Sequence, residues 1–143
     1  WLPGTIFLPD NYQPTIASDY ELSKGRRTYA NIIGGAYYAA RLPVLEYLNK
    51  ERKQAGAIIF FEVHPDWSVP LGVWRVREIC KGALDKPSVK FGSLEEALNE
   101  LAKRLRVPIQ GWVNDSKILA YYKKQTTLPL FTTAKQQNNA VYI

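Results

Sequence analysis

One cysteine, one histidine and no methionine occur among the 143 residues. A single thiol, Cys80, rules out an internal disulfide framework and any multi-thiolate zinc site. With His64 as the sole histidine, a histidine-rich metal centre is excluded as well. Long apolar runs are also missing. Lys, Arg, Asp or Glu interrupts each one before it reaches the ~20 residues of a membrane helix. The start shows none of the basic, apolar and small-residue regions of an export signal. These absences predict a cytoplasmic protein with no metal, no cofactor and no membrane span. The chain opens on Trp1 rather than Met, which reads as a fragment of a longer protein.

Acidic residues stop at Asp115, whereas Lys117, Lys123, Lys124 and Lys135 follow it. The net charge of +6 thus gathers toward a purely basic C-terminal end. Such an end favours an acidic partner such as DNA, although a solvated, solubilising tail explains it equally. The basic run Lys50, Arg52 and Lys53 is a second candidate for nucleic-acid contact, beside Lys123 and Lys124.

Hydrophobic residues at 46% and charged residues at 22% are ordinary globular values. Thr5 to Leu8 reads as a short strand between prolines, and Ser18 to Arg27 as an irregular strand or extended arm. Gly34 and Gly35 open a helical pattern in which Tyr37, Ala40, Val44, Leu45 and Leu48 share a face, with Pro43 interrupting it. Ala57 to Val63 is an apolar, β-branched and aromatic run, the expected central strand of a sheet. Pro70 suits the first residue of a helix whose buried stripe is Val73, Val76, Cys80 and Leu84. Val89 to Phe91 reads as a strand. Ser93 with Glu96 forms a capping box for a helix that ends before Pro108. Ser116 to Lys123 reads as one more short helix. This order predicts an α/β or α+β fold: a single domain with a small mixed sheet packed by three to four helices. Residues 1–123 form its body, and residues 124–143 a flexible basic tail.

Two constellations can carry function. The first is Gln125-Thr126-Thr127-Leu128-Pro129-Leu130-Phe131, the Gln-x-x-aliphatic-x-x-aromatic spacing of motifs that dock on sliding clamps. A single 3₁₀ turn brings residues three apart onto one side, so Leu128 and Phe131 form one apolar plug. Gln125 can then enter a separate polar pocket. The motif departs from the full pattern at Thr132, where a second aromatic is expected, and at Pro129, which stiffens the turn. The competing reading packs Leu128 and Phe131 on the parent domain.

The second constellation is Phe60-Phe61-Glu62-Val63-His64. Strand alternation puts Glu62 and His64 on one face, where they can act as a general acid/base pair. Arg75, Arg77 or Arg41 would bind an anion beside them. The competing reading is a buried ion pair between Glu62 and an arginine, Arg77 or Arg41 first. Gly34-Gly35 serves a tight turn or close packing before it serves a phosphate. Tyr37, Tyr38, Trp67, Trp74 and Trp112 read mainly as core, with one or two stacking platforms for bases among them.

Beyond these motifs, the sequence resembles the archaeal Nre family of DNA-repair proteins. The likeness rests on Gly25-Arg26 and on Ile33-Gly34-Gly35-Ala36-Tyr37-Tyr38-Ala39-Ala40-Arg41-Leu42 with Val44-Leu45-Glu46-Tyr47-Leu48. It continues through Arg52-Lys53-Gln54-Ala55, Glu62-Val63-His64-Pro65, Pro70-Leu71-Gly72-Val73-Trp74 and Val76-Arg77-Glu78, over roughly residues 18 to 131. The resemblance implies a role in the response to DNA damage and a clamp-binding motif at the C-terminus, which falls on Gln125, Leu128 and Phe131. It implies a longer protein, some members of the family carrying an N-terminal zinc-binding segment. It carries over no catalytic residues.

The leading expectation is therefore a DNA-repair accessory protein recruited to the PCNA sliding clamp. One alternative is a phosphate-handling hydrolase or nuclease using Glu62, His64 and Arg77. The other is a plain basic DNA-binding module.

Overall fold

The computed structural model describes residues 1–5, 9–10, 12–67, 69, 72–124 and 141–142. Its elements are α1 (Gly35–Lys50), α2 (Val73–Leu84), β1 (Lys90–Phe91), α3 (Leu94–Ala102), α4 (Ile109–Asp115), α5 (Lys117–Lys124) and β2 (Val141–Tyr142). Packing divides the chain into two compact units, Trp1–Pro87 and Ser88–Ile143. The body expected over residues 1–123 thus contains a division at Pro87.

In the first unit, α1 packs against α2. The Gly34-Gly35 pair makes that approach possible. Gly34 caps α1 at φ 50°, ψ −123°, a conformation closed to residues with a Cβ. At Gly35 a Cβ would sit 2.8 Å from Val73 Cγ1, so any larger residue would force a shift where α2 meets α1. Pro43 lies inside α1 without ending it and is buried. Val76 and Cys80 form the buried part of the expected α2 stripe, while Val73 is largely exposed. Burial also pushes the Cys80 thiol above its ordinary pKa. The helix begins at Val73 with Gly72 as its cap. Pro70, its expected first residue, lies outside the described residues.

The second unit is built from α3, α4, α5 and the β1/β2 pair. Ser93 Oγ accepts from the Glu96 N–H at 3.1 Å, as the capping box requires. Glu96 Oε2 reaches back to the Gly92 N–H at 2.9 Å, one residue before the cap. Glu100 pairs with Lys103 at 2.7 Å and with Arg104 at 3.9 Å, the latter as the i,i+4 spacing predicts. Helix α4 was not expected. Its signal is Pro108 followed by Ile109, Trp112 and Val113 at helical spacing. Ala97, Val107 and Leu119 form the core of this unit.

The α+β content stands, as five helices with very short strands. Among the described residues the sheet is a single antiparallel pair, Lys90 opposite Tyr142 and Phe91 opposite Val141. That pair is too short to establish a mixed sheet. Ala57 to Val63 corrects an expectation: it forms no strand among the described residues. Val63 is buried and its carbonyl accepts from the Leu2 N–H at 2.9 Å, whereas Ile58 and Ile59 are exposed. An apolar, β-branched run dictates extended backbone, but it does not dictate a partner. No helix among the described residues is long and apolar enough to cross a membrane.

Candidate functional site

Two clefts with chemical content lie in the first unit. The smaller, about 230 Å³, is lined by Phe61, Glu62, Val63, His64, Asp66, Trp67 and Ile79. Extended backbone puts Glu62 and His64 on one face, and Glu62 Oε2 lies 3.0 Å from His64 Nε2. The glutamate side chain is 6% exposed and the histidine 33%, so the pair opens to solvent on the imidazole side. The distance is within reach for proton transfer between the two.

The arginines expected beside this pair are elsewhere, which corrects the sequence reading. Arg77 Nη2 donates to Glu46 Oε1 at 3.2 Å, joining α2 to α1 on the surface. Arg41 Nε donates to Glu21 at 2.6 Å. Arg75 lies over the rings of Trp67 at 5.2 Å and Trp74 at 5.7 Å; Trp67 lines the cleft, but Arg75 does not. The local sequence fixed the reach of Glu62 to His64, two residues away. It held no information on which carboxylate each arginine would meet across the fold. Among the described residues no group of three His, Cys, Asp or Glu side chains is arranged to hold a metal ion.

The larger cleft, about 430 Å³, is lined by Glu21, Gly25, Arg26, Arg27, Thr28, Tyr29, Tyr38 and Arg41. Its walls come from the segment read as an extended arm and from α1. A turn closed by the Gly25 N–H on the Leu22 carbonyl at 2.8 Å reverses the chain. Arg26 then fastens the loop: it donates to the carbonyls of Tyr20 (2.8 Å), Thr28 (3.2 Å) and Tyr29 (3.3 Å) and pairs with Asp19 at 3.3 Å. Asp19 is 2% exposed, and its other oxygen accepts from the backbone of Ile32 (3.1 Å) and Ile33 (2.8 Å). One buried carboxylate thus ties the arm to the residues that lead into α1.

On the α1 side, Tyr37 hydrogen-bonds Glu21, and its phenol is pushed up to about 12 by burial first and by that carboxylate second. Tyr38 receives the Ala30 N–H at 2.9 Å and packs against Tyr29, with centroids 4.9 Å apart. Tyr37 meets Tyr38 edge-on at 5.1 Å. Sequence reasoning placed Tyr37 and Tyr38 correctly on a helix but missed Asp19, Arg27 and Tyr29. The signal available was the density of Arg and Tyr over residues 26–41.

The basic candidates Lys50, Arg52 and Lys53 are all exposed at the end of α1. Arg52 adopts a positive φ of 52°, and Lys53 pairs with Glu51 at 3.5 Å. Lys123 and Lys124 are exposed at the end of α5, in the other unit. Gln125, Leu128 and Phe131 lie outside the described residues.

Comparison with known proteins completes the picture. Residues 21–131 match the family model described as Archaeal Nre, C-terminal. DNA repair protein NreB of Archaeoglobus fulgidus is 36% identical over 126 residues, covering 88% of this chain and 32% of the relative. DNA repair protein NreA of the same organism is 39% identical over 116 residues, covering 81% and 27%. NreA of Haloferax volcanii is 33% identical over 108 residues, covering 75% and 26%. The chain therefore spans about a third or less of the length of these relatives. No solved structure matches it. With most of its length inside that match, including the tyrosine–arginine cleft and the Glu62–His64 pair, the chain belongs to the archaeal Nre family and corresponds to its C-terminal region.

Proposed function

We propose that this chain is the C-terminal region of a cytoplasmic DNA-repair accessory protein, recruited to the PCNA sliding clamp through Gln125, Leu128 and Phe131. One coincidence carries the reading. The family match runs to residue 131, the position of the motif's aromatic, and relatives sharing this region are named DNA repair proteins. In a 3₁₀ turn Leu128 and Phe131 fill one hydrophobic pocket of the clamp while the Gln125 amide enters a polar one. DNA is the other partner, met by basic groups such as Lys50, Arg52, Lys53, Lys123 and Lys124. The hydrolase alternative keeps the Glu62–His64 contact of 3.0 Å in its support, but its arginine partners, Arg77 and Arg41, are hydrogen-bonded to other carboxylates.

Passing the full-length protein over resin that carries the cognate clamp tests the proposal. The wild-type protein is retained and the Leu128→Ala/Phe131→Ala variant flows through. Equal retention of the two contradicts it.

A further inference from the structure

The geometry points to the arginine–tyrosine cleft as a binding site for single-stranded DNA, with a phosphate on Arg27 and an adjacent base stacked on Tyr29. The site differs from the basic helix ends named above, and the choice of DNA over RNA rests on the repair reading.

Charge pairing singles out Arg27. Of the three guanidinium groups in the cleft, Arg26 is matched by Asp19 and Arg41 by Glu21. Arg27 is exposed and has no ion-pair partner among the described residues. Its flanking residues are held in place: Arg26 spends its donors on Asp19 and on the carbonyls of Tyr20, Thr28 and Tyr29, and so fixes the loop that displays Arg27. Arg41 remains 39% exposed beyond its contact with Glu21, so it adds positive potential to the same cleft. An anion with its own negative charge supplies what Arg27 lacks.

Tyr29 supplies the second half of the argument. Its ring packs on Tyr38, yet the residue is 66% exposed. Tyr38 is fixed by the Ala30 N–H and by the edge of Tyr37. The outcome is an aromatic pair anchored on its Tyr38 side, with the Tyr29 ring open to solvent on the other. A base from an unpaired strand fits, because every base presents a π-face and a neighbouring phosphate at a spacing an arginine can reach. Paired bases in a duplex hide those faces. The open cleft of about 430 Å³ falls in the ~300–1,000 Å³ range of small-ligand pockets, enough for one nucleotide and not for a duplex.

Fluorescence anisotropy of the full-length protein with a labelled dT oligomer tests this. Tyr29→Ala weakens binding by about tenfold or more, whereas Tyr29→Phe, which keeps the ring, binds as the wild type does. Arg27→Ala weakens binding by several-fold and flattens the salt dependence by about the ~0.7 of one single-strand phosphate contact. Lys86→Ala, an exposed charge outside the cleft, leaves both unchanged. Melting curves of each variant check that it folds as the wild type does. Wild-type affinity in both Arg27→Ala and Tyr29→Ala overturns the site, as does equal binding of duplex and single strand. Tighter binding of an rU oligomer, lost in Tyr29→Ala, overturns the DNA assignment and leaves the clamp reading to its own test.

Discussion

The two clefts of the first unit differ in how their polar groups are held. In the Glu62–His64 cleft a contact of 3.0 Å joins two residues that are two positions apart in sequence. In the arginine–tyrosine cleft, Asp19, Glu21, Arg26, Tyr38 and Arg41 form a network that joins segments up to 20 residues apart. A contact set by local alternation needs no tertiary structure to be foreseen, whereas a network spanning the fold is also part of what stabilises it. The conspicuous acid/base pair is therefore legible from neighbouring residues, and the less conspicuous arginine cleft takes shape only across the fold.

Asp19→Ala should produce the largest effect on stability. It strands the guanidinium of Arg26 and two backbone N–H groups around a side chain that is 2% exposed. Breaking a buried pair of this kind costs about 3–5 kcal/mol, read by urea unfolding of the full-length protein. A loss under about 1 kcal/mol would mean that the network does not hold the cleft together.

Gly35→Ala sharpens the comparison from the side of the shared scaffold. The new methyl group meets Val73 Cγ1 at 2.8 Å, so the Val73 side chain or the helices themselves must shift. The expected cost is about 1–3 kcal/mol. Because α1 carries Tyr38 and Arg41 and α2 carries Ile79, both clefts should change together. Amide hydrogen exchange that rises around only one of them would contradict a common support.

His64→Gln is expected to be mild, about 1 kcal/mol or less, since the imidazole is partly exposed and makes one contact with Glu62. A loss as large as that of Asp19→Ala would place the pair inside the architecture and erase the distinction between the clefts.

A further effect appears only at alkaline pH. The Tyr37 phenol titrates near 12 in the folded protein against 10 in its ordinary state. Its stabilising contribution is therefore complete below pH 10 and is lost as the pH rises from 10 toward 12, because the unfolded chain ionises first. Tyr37→Phe removes that alkaline limb from a plot of unfolding free energy against pH. An unchanged limb would assign it to other groups.

What the sequence made legible follows one physical line. Helices α1, α2, α3 and α5 were readable because apolar spacing, the Ser93–Glu96 box and the prolines are local signals. The proximity of Glu62 and His64 was readable for the same reason, as alternation along an extended chain needs no tertiary information. The sheet expected around Ala57 to Val63 was not, because a strand's partner is chosen across the fold. The ion-pair partners of Arg41 and Arg77 failed likewise: an arginine in a sequence shows that a carboxylate is needed, not which one. Tyr29 looked like any loop aromatic until Tyr38, nine residues on, packed beneath it.

Calorimetric titration of the full-length protein against the cognate PCNA clamp tests the proposed tether at Gln125, Leu128 and Phe131. Leu128 and Phe131 contribute about 1.5–3 kcal/mol each when fully enclosed, so their joint replacement by alanine should weaken binding at least about a hundredfold. The melting temperature of the double variant should match that of the wild type. Equal affinities for the two proteins, or a marked fall in melting temperature on substitution, would contradict the tether.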